Sequence, residues 1–122
     1  MDVDTALKEA MQIEGAVGVA LVDYESGMAL GSSGGGKFLN LEVAAAGNTE
    51  VVRAKLRTIN SLGLNDEIED ILITLGRQYH LIRLLTSSKG GALFLYLALD
   101  RARANLAMAR HQLRRVEAEL AF

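Results

Sequence analysis

Apolar residues recur along this chain in two periods, and the switches between them lay out its elements. Val3, Leu7 and Met11 recur every fourth position behind Asp2 and Asp4, either of which can cap a helix; that helix is expected to end near Glu14-Gly15. Ala16 to Val22 is then a near-continuous apolar run, which predicts a central strand. Asp23-Tyr-Glu-Ser-Gly27 is turn chemistry, and Met28-Ala-Leu30 returns as a short partner strand that fades into Gly31-Ser-Ser-Gly-Gly-Gly36. The helical period resumes from Leu39 to Leu62 and stops at Gly63, a natural residue for a helix C′ position. Leu41, Ala45, Val52, Leu56 and Ile59 make one apolar face of this long helix. A second face holds the smaller or β-branched Val43, Gly47, Val51, Ala54 and Thr58, and a third holds Glu42, Glu50, Arg53 and Arg57. Two packable faces exceed what covering one sheet requires, and small residues suit close approach of another helix.

Three runs of strand length follow, Glu67–Leu75, Gln78–Thr86 and Ala92–Leu99, parted at Gly76-Arg77 and at Ser87–Gly91. Connections this short exclude parallel crossovers, so the runs read as an antiparallel meander. The third run is apolar on both faces and belongs in mid-sheet. The first opens on Glu67, Glu69 and Asp70 before Ile71, Leu72 and Ile73, the pattern of an outer strand with one end guarded by charge. From Arg101 to about Ala121 the stripe Ala102, Leu106, Ala109, Leu113, Val116 and Leu120 predicts a last helix, with Arg103, Arg110, Arg114 and Glu117 on its polar side. The order is helix, two strands, helix, three strands, helix.

A chain of 122 residues, half of them hydrophobic and 23 % charged, is expected to be one folded domain, 1–122. It has no cysteine, which removes disulfides and thiolate metal sites, and its two histidines, His80 and His111, fall in different elements. No apolar run approaches a membrane span of roughly 20 residues, and the start lacks the basic and apolar segments of a signal peptide, so a cytoplasmic location is expected. The net charge of −2 is unevenly spread: Met1–Glu50 holds eight acids against two bases, Arg101–Phe122 five bases against two acids. Those C-terminal arginines share their helix with Glu117 and Glu119 and have no aromatics among them, a poor pattern for nucleic acid.

Gly31-Ser-Ser-Gly-Gly-Gly-Lys37 matches the first seven positions of a phosphate-cradling loop, but Phe38 stands where a magnesium-holding Ser or Thr belongs. The strand before it also reads as a hairpin edge, whereas such loops follow parallel strands, so a flexible connection is the better reading. His80 in a strand reads as a packed or half-exposed residue, and no Ser, Cys or carboxylate is paired with His111 by spacing. Asp66, Glu67, Glu69 and Asp70 lack the alternating oxygen ligands of a calcium loop and read as a solvated edge defence. No catalytic, cofactor or metal residue is assigned.

Set in this order, particular stretches resemble the Roadblock/LC7 family. They are Gly15-Ala-Val-Gly-Val-Ala-Leu-Val-Asp23 with Glu25-Ser-Gly27; Asn40-Leu-Glu-Val-Ala-Ala-Ala46; Ile68-Glu-Asp-Ile-Leu-Ile-Thr74; Gln78-Tyr-His-Leu-Ile-Arg83; and Phe94-Leu-Tyr-Leu-Ala-Leu-Asp-Arg101 running into Ala104-Asn-Leu-Ala-Met-Ala-Arg110. Together they span nearly the whole chain; the short second strand, the glycine-rich loop and the short first helix read as family variation. The resemblance implies an α/β (α+β), profilin-like fold: a five-stranded antiparallel sheet sandwiched by helices. It implies a homodimer joined by an edge strand, with the long helices side by side on one face and the terminal helices on the other. It also implies non-enzymatic work by association, as a signalling or regulatory partner of a small Ras-like GTPase or as a light-chain-type adaptor on a motor complex.

On this reading the dimer interface is expected at Ile71, Leu72 and Ile73 on the outer strand and at Val43, Gly47, Val51 and Ala54 on the long helix. The partner-binding platform is expected at Glu42, Glu50, Arg53 and Arg57. Two rivals predict different observations. A small-ligand sensor needs a pocket of several hundred Å³ between sheet and helix, and a nucleotide-hydrolysing enzyme needs a working phosphate loop.

Overall fold

A computed structural model describes residues 1–85 and 91–121 of the chain. Its elements are α1 (Val3–Ala10), β1 (Ala16–Asp23), β2 (Met28–Gly34), α2 (Leu41–Ser61), β3 (Asp70–Thr74), β4 (Gln78–Leu84), β5 (Leu93–Asp100) and α3 (Leu106–Glu119). The strands form one five-stranded sheet in the order β2-β1-β5-β4-β3, with every neighbouring pair antiparallel. This is the expected element order and architecture. The expected Thr86 end of the second meander run, and Ser87 to Gly90 of the break after it, lie outside the described residues.

Two core layers follow from the pleat. Val19, Leu21, Leu81, Leu95, Leu97 and Leu99 point to the side covered by α1 and α3, where Leu7, Ala109 and Leu113 meet them. Ala20, Val22, Ile82, Phe94, Tyr96 and Ala98 point to the side covered by α2, where Leu41, Ala45 and Val52 pack. β1 and β5 are central, and β5 is buried from Leu93 through Leu99, as a run apolar on both faces requires. Each helix starts on a side-chain cap: Asp2 accepts from Thr5, Asn40 from Glu42 and Val43, and Asn105 from Met108.

Several boundaries differ from expectation, each for a local reason. α1 stops at Ala10, because Gln12, Ile13 and Ala16 donate to carbonyls three residues back and turn the chain so that Ile13 is buried. α2 begins at Leu41, not Leu39, because the Asn40 side chain fixes the first turn. β3 begins at Asp70, so Glu67 and Glu69 precede the strand. α3 begins at Leu106, not Arg101, since the Asp100 carboxylate accepts from the Ala102 amide and holds residues 101–103 in a turn. Ala102 is consequently exposed and leaves the predicted stripe.

Two further readings are corrected. The glycine-rich stretch is no flexible connection: Gly31 to Gly34 extend β2, paired with Leu21, Ala20, Val19 and Gly18 of β1. At Gly31 the sheet and α1 pack closely: a Cβ there would stand 2.9 Å from a Leu7 methyl and 3.2 Å from a Val3 methyl. Gly34 adopts φ +73° with Met11 and the Val17 carbonyl against it. Glu117, assigned to the polar side of the last helix, is only 5 % exposed; Arg83 of β4, 9 % exposed, donates to it from Nε at 2.9 Å. The two opposite charges are buried because each neutralises the other.

Candidate interaction surface

β3 is an edge of the sheet, hydrogen-bonded among the described residues to β4 alone. Its five residues run apolar through the middle: Ile71 and Ile73 on the α2 side, Leu72 on the α3 side. All three are only half-buried. Asp70 at the start of the strand is drawn toward α3, where Arg110 grips it with two bonds, Nη2 to Oδ1 at 2.9 Å and Nε to Oδ2 at 3.1 Å. The outward backbone of β3 therefore flanks an apolar centre with its acid turned aside.

Helical spacing gives α2 two unlike flanks. Toward β3, Val51 and Lys55 overhang a groove of about 540 Å³ whose other wall is the chain from Asp66 to Ile71. Ile68 and Ile71 are apolar on that wall, and Asp66, Glu67 and Glu69 form its rim. The groove is open along its length, so it offers a trough to a polypeptide and does not enclose a small ligand. Toward β2, Glu42 lines a second depression with the Gly27–Ser32 segment. Between the flanks, facing away from the sheet, stand Val43 (67 % exposed) and Gly47, around whose Cβ position nothing lies within 4 Å. Ala54 and Thr58 on that face are exposed too, and Val51 is 38 % exposed.

The expected interface residues thus divide cleanly. Among the described residues, Ile71, Leu72 and Ile73 lie on an unpaired edge, and Val43, Gly47, Val51 and Ala54 form a stripe that no other helix covers. Glu42, Glu50, Arg53 and Arg57 are exposed, and their spacing turns them toward the β2 side, away from the groove. Lys55 and Ile68 were missed in the sequence. Ile68 was hidden by acids on either side, whereas Lys55 was recoverable from its place one helical turn after Val51.

Beside this surface, beneath α2, lies a polar cluster. His80 accepts at Nδ1 from the Tyr96 hydroxyl (3.2 Å) and donates from Nε2 to Gln78 Oε1 (2.8 Å); the amide oxygen can only accept, which assigns the proton to Nε2. The His80 and Tyr96 rings meet edge to face at 5.3 Å. Burial lowers the His80 pKa below its ordinary value of 6.5. Burial also pushes the Tyr96 phenol up to about 12, partly offset by a hydrogen bond with the Asn48 side chain. A phenol held neutral and an imidazole held neutral are hydrogen-bonding struts here, with no nucleophile between them. Among the described residues no group of three His, Asp or Glu is placed to hold a metal ion, and no helix is long and apolar enough to cross a membrane. Lys37, in the glycine-rich stretch, is exposed with its ammonium 5.6 Å from the Phe38 ring, and the strand before it is antiparallel, which is not phosphate-loop geometry.

The element order, the β2-β1-β5-β4-β3 sheet and the placing of one long helix opposite two terminal ones define the Roadblock/LC7 fold, and the chain has that fold. Among solved structures it is similar to a Roadblock/LC7 domain from Streptomyces avermitilis, with TM-score 0.79 and 12 % identity over 97 % of this chain and 93 % of that one. It is also similar to Myxococcus xanthus MglB, with TM-score 0.75 and 18 % identity over 94 % and 85 % of the two chains. The gliding protein MglB from Thermus thermophilus superposes with TM-score 0.70 and 20 % identity over 95 % and 88 %. No protein-family model and no curated protein sequence matches the chain.

Proposed function

We propose that the whole chain acts as one non-enzymatic Roadblock module in the cytoplasm, which homodimerises through β3 and presents α2 to a small Ras-like GTPase. The observation that carries this reading is the unpaired β3 edge continuing into a half-covered sheet face beside an uncovered small-residue stripe on α2. A second copy, paired strand to strand, places its own α2 on the same side, where it covers the sheet face and meets the Val51 edge of the stripe. The likeness to MglB structures supports work by association.

With the β3 flank of α2 used in the dimer, Glu42, Glu50, Arg53 and Arg57 remain outward and are doubled by symmetry into a mixed-charge platform. Such a platform steers encounter and fixes orientation more than it adds affinity. Binding one switch conformation of the GTPase more tightly than the other shifts its population, which requires no catalytic residue from this chain. Capture from native cytoplasm with identification of the retained GTPase supplies the partner. Arg53→Glu with Arg57→Glu, in protein verified to be folded and dimeric, is then expected to slow association about tenfold. Unchanged rate and affinity would remove this face from the proposal.

A further inference from the structure

The two ends of β3 carry opposite charge. Ahead of the strand stand Glu67 and Glu69, both exposed. Behind it stand Arg77, also exposed, and Arg101, whose Nη1 donates to the Leu75 carbonyl at 2.7 Å and whose guanidinium lies 5.0 Å over the Tyr79 ring. The one acid inside the strand, Asp70, is withdrawn from the edge by Arg110. The edge therefore reads, in chain direction, acidic, apolar, basic. Antiparallel pairing with a second copy sets acid against base at both ends, whereas parallel pairing stacks like on like.

Resting on the dimer reading above, we infer that its two β3 edges meet in one register, with the twofold axis at Leu72 and Glu67 of each copy opposite Arg77 of the other. A twofold axis perpendicular to the sheet keeps α2 on one face in both copies, so a residue pairs with one whose side chain points to the same face. Three axis positions satisfy this within the centre of the strand. About Leu72, all of β3 finds a strand residue opposite: Asp70 meets Thr74, Ile71 meets Ile73, and Leu72 meets itself. About Ile71 or Ile73 only residues 70–72 or 72–74 do so, and the Ile71 axis also sets Ile73 against Glu69. Leu72 lies five positions from both Glu67 and Arg77, so the register that pairs the whole strand also aligns the charges. Glu67 and Arg77 lie outside β3 and are exposed, so they meet as long side chains on the rim, and their role is to select register and partner.

The chain has no cysteine, which makes single-cysteine variants unambiguous. Facing Cα atoms in an antiparallel pair are about 4.5–5.5 Å apart, inside the disulfide window. Leu72→Cys is expected to form an intersubunit disulfide on oxidation, and Ile73→Cys is not, because its opposite is residue 71; mixing Ile71→Cys with Ile73→Cys protein restores the crosslink. Glu67→Arg is expected to weaken the dimer roughly tenfold, and Arg77→Glu added to it to restore binding. Both residues of that swap are exposed, so it reports even where Leu72→Cys fails to fold. A dimer that crosslinks through Ile73→Cys alone, or one that the double reversal leaves weak, overturns the register while leaving edge pairing intact. A monomer at micromolar concentration by sedimentation overturns both.

Discussion

His80 shows how much a single residue's meaning depends on its neighbours. Its imidazole is locked between the Tyr96 hydroxyl and Gln78, over the Tyr96 ring, and is flanked in the sheet by Ile73 and Ala98. Protonation places a proton on Nδ1, which must then stop accepting from Tyr96, and sets a charge among apolar groups. The folded-state pKa is depressed below 6.5 by burial, so the neutral ring's contribution to stability is complete above that value and is lost as pH falls through the folded pKa. Wild-type stability is thus expected to decline more steeply than that of His80→Gln as pH falls below about 6.5, measured by urea unfolding across pH. Equal slopes would show that the ring titrates as it does in the unfolded chain. Sequence reading placed His80 in its strand and as packed or half-exposed; it did not reveal the pairing with Tyr96, sixteen residues away on β5.

At the scale of elements, α3 is the instructive one. Its stripe from Leu106 to Leu120 was legible because helical periodicity records which side meets an apolar surface. Its start was not, because Arg101 to Ala104 continue the period while Asp100 takes the amides of Ala102, Arg103 and Ala104. Nor was Glu117: a carboxylate on a helix reads as solvated unless the opposing strand is known to supply Arg83. Removing one partner leaves the other charge buried, so Glu117→Ala is expected to cost about 3–5 kcal/mol in urea unfolding with unchanged m-value. Replacing both with apolar residues of similar volume, Arg83→Met with Glu117→Leu, is expected to be nearly neutral. The length of β2 is hidden in the sequence for a related reason. Gly31 to Gly34 look like a loop by composition, yet here they admit α1 to within contact of the sheet.

For the whole molecule, the five strands and three helices were legible in order because buried elements leave a periodic trace, and β3 was legible as an edge because its acids and isoleucines share one short run. The candidate surface was legible only in part. Val43, Gly47, Val51 and Ala54 stood out as a second packable face, and the uncovered stripe is where they lie. The groove that Lys55 and Ile68 share, and the charge order along the β3 edge, depend on chain crossings that no periodicity encodes. What unites these features on the proposed reading is a surface that a second copy completes. Gly47→Leu, at a helix position with open space around it, is expected to preserve the fold while weakening assembly, which separates packing within the chain from packing between chains. Sedimentation equilibrium of the unmodified protein at micromolar concentration tests this most directly. A mass twice 13.1 kDa is the expected result, and a single 13.1 kDa species would contradict it.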